Sequence, residues 1–281
     1  MRKRIFVTTI GAAILLVPLG GSPAQAAPPE GDRGALIVYA TAASLPGSAV
    51  DVNKGTSSDD GCYFELSGSG IGGDGTVEVV RELSFDPSTC TQVVARAVFP
   101  ANNLPPDVQQ MVDGDVAKGT SVERLLSRST SADLGLGGSI EAKSAVTYKK
   151  TLKAMIKDPI NLQTTATETT LTWAATSTQV TSFSSTHMTY WLSGTGWSRT
   201  ASSGWSSRIN TTAAYSDTTA TFYNPVFCTL ISPPGSLCTT TYATHSKTRV
   251  EGRSGGGWAW SYAMLKSGGC NGMLHYDYVF K

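Results

Sequence analysis

Apolar positions along this chain recur mostly at every second residue, the period of a strand whose successive side chains point to opposite faces. Trp258, Trp260, Tyr262 and Met264 alternate with Ala259, Ser261 and Ala263, and Leu274, Tyr276, Tyr278 and Phe280 alternate with His275 and Asp277. Gly34–Ala43 is apolar and β-branched, a first strand. Cys62–Leu66 and Thr76–Phe85 read as strands around a glycine-rich turn. Asp86-Pro87-Ser88-Thr89 is a turn, and Cys90–Phe99 carries Val93, Ala95, Ala97 and Phe99 on one face. Asp86 could instead cap a helix, but Val93-Val94 and Val98-Phe99 favour a strand. The period weakens between residues 100 and 158. Pro105–Val112 and Ser121–Ser129 are short helical candidates, so one or two helices are predicted within residues 104–130. Leu134–Ile140 reads as a loop. Tyr148, Leu152, Ala154 and Ile156 share a face that Lys150 interrupts.

From Thr164 to Thr221, 29 of 58 positions are Ser or Thr, a proportion that also suits a disordered stalk. Trp173, Phe183, Tyr190, Trp191, Trp197, Trp205 and Tyr215 argue against one, because stalks lack such rings. The pattern predicts an antiparallel sheet with Thr on the wet face and aromatics on the packed face. Turns are expected at Ser193–Gly196 and Ser202–Gly204. The prediction is a mainly β protein, an antiparallel sandwich or two packed sheets. Its subdomains would be an N-terminal β-rich part (27–150) with short helices and a Thr/Ser/Trp-rich C-terminal part (151–281); the alternative is one domain with shared sheets.

Residues 1–26 read as a secretory leader. Arg2, Lys3 and Arg4 precede an apolar run, Ile5–Leu19, too short to span a bilayer, and Ala24-Gln25-Ala26 places cleavage between Ala26 and Ala27. The leader carries three of the 22 Lys and Arg and none of the 21 Asp and Glu, leaving a mature balance of −2 with His neutral. No basic footprint for nucleic acid exists in that balance, and no later segment is apolar enough to span a membrane.

In an exported chain the five cysteines, Cys62, Cys90, Cys228, Cys238 and Cys270, read as a disulfide framework. Their spacing gives no CxxC and no close Cys/His cluster, so no metal site is expected. Cys62–Cys90 would close a loop of about 29 residues, and Cys228 pairs with Cys270 or with Cys238, the former being favoured.

Several segments resemble a group of uncharacterised secreted proteins of actinomycetes: Phe85-Asp-Pro-Ser-Thr-Cys90, Lys157-Asp-Pro-Ile-Asn-Leu162, Ser193-Gly-Thr-Gly-Trp-Ser-Arg199, Thr221-Phe-Tyr-Asn-Pro-Val-Phe-Cys228 and Ser267-Gly-Gly-Cys270. The resemblance implies secretion and the pairings Cys62–Cys90 and Cys228–Cys270. It supplies no activity and no catalytic residue.

Chemical motifs are sparse. Gly68–Gly73 fits GxGxxG but leads into a strand, so it reads as a hairpin loop and no cofactor is implied. Gly114–Ser121 misplaces Lys118 for a phosphate loop. His187, His245 and His275 lack a GxSxG partner and read as surface side chains. Asp and Glu are too scattered to nominate a glycosidase pair, and no catalytic residue is assigned. Trp258, Trp260 and Tyr262, if exposed, would make a stacking platform for a glycan or cell-wall ligand; their alternation favours a core stripe. The function expected is a secreted, non-enzymatic β-protein binding at or near the cell envelope. The alternatives are a hydrolase of unfamiliar type and a structural or inhibitor protein.

Overall fold

The computed structural model describes residues 37–38, 45–72, 75–113, 119–126, 128–129, 145–227, 239–268 and 270–281. The leader with its Ala26–Ala27 junction, the Leu134–Ile140 loop, Lys118, and Cys228 and Cys238 lie outside the described residues, and so does their pairing. Of the Gly34–Ala43 segment, Ile37–Val38 is described as a strand.

The strands are β1 (Ile37–Val38), β2 (Ala49–Lys54), β3 (Thr56–Ser58), β4 (Gly61–Ile71), β5 (Thr76–Asp86), β6 (Thr91–Pro100), β7 (Thr120–Leu125), β8 (Arg128–Ser129), β9 (Val146–Lys157), β10 (Gln163–Ala175), β11 (Val180–Leu192), β12 (Ser198–Asn210), β13 (Ala213–Phe227), β14 (Thr239–Arg253), β15 (Gly257–Gly268) and β16 (His275–Phe280). They form two packed sheets. The nine-stranded sheet runs β2-β6-β5-β16-β9-β10-β11-β7, with β1 also on β5, and the seven-stranded sheet runs β3-β4-β15-β14-β13-β12-β8. Among the described pairings, β12 with β8 is parallel and the others are antiparallel. Each sheet draws strands from both halves of the chain. The C-terminal β16 sits mid-sheet, with Tyr278 opposite Val80 on one side and Ala154 on the other.

Side chains between the sheets form one core. Phe64, Val80, Leu152, Ile156, Trp173, Phe222, Val250, Trp260, Tyr262, Tyr276 and Tyr278 all belong to it. The predicted Cys62–Cys90 disulfide is present and buried; it ties β4 of the smaller sheet to the turn between β5 and β6 of the larger. That turn is built on the Asp86 carboxylate, which accepts from Ser88 N at 2.9 Å and from the Thr89 hydroxyl at 2.8 Å.

One helix is described, α1 (Pro106–Asp113). Pro106 opens it where the missing N–H costs nothing, and Asp107 suits the positive end of its dipole. Val108 and Met111, three residues apart, bury one stripe against Val77, Val79, Ala97, Met155 and Val279 on the outer face of the larger sheet. Hence β16 is buried on both faces.

The second helical candidate, Ser121–Ser129, is instead β7 and β8. Thr120 and Val122 are β-branched, and β7 completes the open edge of β11, with Tyr190 opposite Val122. The turn expected at Ser193–Gly196 is a 3₁₀ turn closed by Gly196 in the left-handed region. The one expected at Ser202–Gly204 lies inside β12. Gly204 stands there because a Cβ would meet His187 Cγ at 2.5 Å, so the glycine makes room for a ring from the other sheet. Gly68 and Gly70 are likewise strand residues of β4 and not a loop. They lie opposite Trp260 and Trp258, whose rings leave no space for a Cβ.

Candidate functional site

The three histidines are not surface side chains. His187 and His245 are fully buried and His275 is 1 % exposed. His245 points inward because β14 carries a bulge at Ser246–Lys247. His245 pairs with Met264 while Lys247 pairs with Ala263, so the strand changes phase. Thr241, Ala243 and His245 face inward before the bulge, and Thr248 and Val250 do so after it.

The wet-face reading of threonine fails for the same part of the fold. Thr165, Thr167 and Thr169 of β10 lie wholly between the sheets. Each is satisfied across the gap: Thr165 with His245 Nε2 at 3.2 Å, Thr167 with Thr248 at 2.7 Å, and Thr169 with Thr218 at 2.6 Å. His187 Nδ1 lies 2.9 Å from the Thr218 hydroxyl, and His245 Nδ1 lies 3.0 Å from the Tyr262 hydroxyl. Burial holds both rings neutral, His245 down to about 3 and His187 down to about 4. The result is an uncharged polar seam sealed from solvent.

Among the buried charged groups, two clusters join Lys or Arg to a fully buried carboxylate, one under α1 and one between the sheets. Under α1, Asp277 accepts from Lys157 Nζ at 2.7 Å, with Arg81 Nε 3.4 Å away, and Arg81 also reaches Asp107. Burial alone would raise the Asp277 carboxyl, but the Lys157 and Arg81 cations overcome it and hold the group below its ordinary range. Between the sheets, Lys266 Nζ lies 2.6 Å from Glu82 Oε1, both essentially inaccessible. Burial raises the Glu82 carboxyl against the pull of Lys266, and lowers the Lys266 ammonium against the pull of Glu82.

The remaining chemistry lies on the outer face of the seven-stranded sheet. A trough of about 550 Å³ runs over β15, floored by Ala259 and Ser261 and flanked by Ser67 and Ser69 of β4 and by the β14 row Lys247, Arg249, Glu251 and Arg253. The bulge turns that row outward. Lys247 reaches across Ala263 to Glu65 at 2.7 Å and closes one end. Arg249 turns away to Asp217 at 2.9 Å and covers the Tyr215 ring at 4.4 Å from its centroid. Arg253 pairs with Glu251 at 2.6 Å. On the other side of the bulge a second open depression, about 410 Å³, is lined by Ser203, Thr219, Thr221, Thr244 and Ser246. The whole face therefore offers hydroxyls and paired charges, groups that exchange hydrogen bonds with a polar ligand.

Trp260 also lines the trough, but its ring and that of Tyr262 are turned inward. Trp260 and Tyr262 are 2 % and 0 % exposed, against the rings of Tyr278 and Tyr276. Trp258 is half-buried, packs on Phe280 and donates to Gly72 O. The burial of Trp260 and Tyr262 fits the core-stripe reading of their alternation, and Trp258 alone of the three is partly exposed. The trough residues went unassigned in the sequence, although the alternating charge of Lys247-Thr-Arg-Val-Glu-Gly-Arg253 was its visible trace. Among the described residues no group of three or more His, Cys, Asp or Glu is placed to hold a metal ion, and no helix is long and apolar enough to cross a membrane.

No family model, no curated protein and no solved structure matches the chain.

Proposed function

We propose that this is a secreted, non-enzymatic binding protein that engages a hydroxylated polymer of the cell envelope through the outer face of its seven-stranded sheet. The observation that carries the reading is the trough over β15, open along its length and lined by Ser67, Ser69, Ser261, Glu251 and Arg253. Sugars present hydroxyl groups in both donor and acceptor roles, and serine, carboxylate and guanidinium groups complement them. A histidine-dependent hydrolase would need that ring within reach of substrate, and all three histidine side chains are buried. The leader and the buried disulfide support export to an oxidising compartment.

The test is co-sedimentation with insoluble peptidoglycan and with a panel of cell-wall glycans. Retention of the wild-type chain and its loss in Ser69→Arg, which fills the trough from an exposed position, is the expected outcome. A wild-type chain that stays in the supernatant with every polymer, or a Ser69→Arg chain retained equally well, overturns the proposal.

A further inference from the structure

The Lys266–Glu82 pair has no role in that binding face, and its surroundings are unusual for an ion pair. Lys266 projects from β15 and Glu82 from β5, so the contact crosses from one sheet to the other. Lys266 is opposite Cys62 in the β15–β4 pairing, which places the contact beside the Cys62–Cys90 disulfide. The Nζ atom lies 4.0 Å from the Phe85 ring centroid and 4.9 Å from that of Tyr276, and it donates to Leu274 O at 3.0 Å. On the carboxyl side, Glu82 Oε2 accepts from Tyr276 N at 3.1 Å.

We propose that Lys266 and Glu82 condense to an isopeptide bond, a covalent staple between the two sheets. The nitrogen is held 2.6 Å from a carboxyl oxygen, which puts the carboxyl carbon close to the distance of a near-attack arrangement, about 3–3.5 Å. A buried ammonium and carboxylate keep a desolvation cost that their attraction repays poorly, and condensation removes both charges at once. Burial shifts the two groups toward each other, Glu82 upward and Lys266 downward, so passing the proton from Nζ to Oε1 along the short contact yields the neutral amine and the neutral acid at little cost.

The steps balance within the pair. The Nζ lone pair attacks Glu82 Cδ, forming the C–N bond, and the Tyr276 N–H stabilises charge developing on Oε2. A proton then leaves the nitrogen for the hydroxyl oxygen, the C–O bond breaks, and one water departs. One amide replaces one amine and one acid, with no change of oxidation state and no further reactant. The surrounding rings exclude bulk water and so disfavour the reverse hydrolysis.

The test is tryptic mapping by mass spectrometry of the purified chain after reduction and alkylation. The expected product joins the peptide of residues 82–96 to residues 254–281, left uncleaved after Lys266, and weighs one water less than the two parts. Lys266→Met should yield residues 82–96 as a separate peptide of full mass. Recovery from the wild-type chain of free peptides 82–96 and 254–266 without the joined species overturns the proposal, as does a water loss mapped to any other pair of residues. The measurement is made on the wild-type chain, so it stands whether or not the variant folds. It also stands whether or not the chain binds any polymer.

Discussion

Protonation of the intersheet seam is the most direct test of the fold described above. The unfolded chain titrates His245 near the ordinary value of about 6.5, whereas burial in the folded chain lowers it to about 3. A folded pKa below the unfolded one means that the unfolded state binds the proton first. The stabilising contribution is therefore complete above about pH 6.5 and is lost as the pH falls toward 3. At pH 4.5 the solution lies about two units below the unfolded value, and at about 1.4 kcal/mol per unit His245 alone costs about 3 kcal/mol. The assay is urea unfolding of the wild-type chain and of His245→Asn at pH 7.5 and 4.5. The variant loses the Thr165 contact and starts less stable, but its amide does not titrate. Other groups titrate equally in both chains and cancel. The stability gap should narrow by about 3 kcal/mol at the lower pH, a midpoint difference that closes by about 1 M for an m-value of about 3 kcal/mol/M. A gap of equal size at both pH values would refute the buried, neutral assignment of His245.

Four further outcomes are expected. Gly252→Ala should lose about 1–3 kcal/mol in urea unfolding, because its Cβ would stand 2.4 Å from the ring of Trp173, which is stacked on Tyr148 and cannot retreat. Gly194→Ala, with nothing near its Cβ, should stay within about 0.5 kcal/mol. Thr167→Val leaves the buried Thr248 hydroxyl without its 2.7 Å partner and should cost about 1–3 kcal/mol, while the double change with Thr248→Val should recover most of that; a double-mutant cycle with no coupling would contradict the pairing. Replacing Cys62 and Cys90 by Ser should cost about 3–4 kcal/mol by the chain-entropy argument, measured as the shift between wild type and variant under oxidising conditions.

Much of the architecture was visible in the residue order. Period-two alternation located β15 and β16 and put Trp260 and Tyr262 inside, and the Asp86-Pro87 turn separated β5 from β6. What stayed hidden has one main physical origin. Alternation fixes which residues share a face only until a bulge intervenes, and the extra residue at Ser246–Lys247 reverses the phase of β14. That reversal buries His245 and sends Lys247, Arg249, Glu251 and Arg253 to the outside. A second cause is that threonine is at home on either face. Thr165, Thr167 and Thr169 are interior only because Thr248, Thr218 and His245 meet them from the other sheet, and such pairing across the core leaves no local mark. The glycines misled for a related reason: Gly204 and Gly68 answer rings far away in the chain.

Strand β16, although only six residues long, separates β5 from β9. Without His275–Phe280 the larger sheet is two fragments, each with a bare interior edge and no partner for its hydrogen bonds. That single strand is therefore the keystone of the larger sheet, and removing its six residues should prevent assembly of the whole rather than trim its margin.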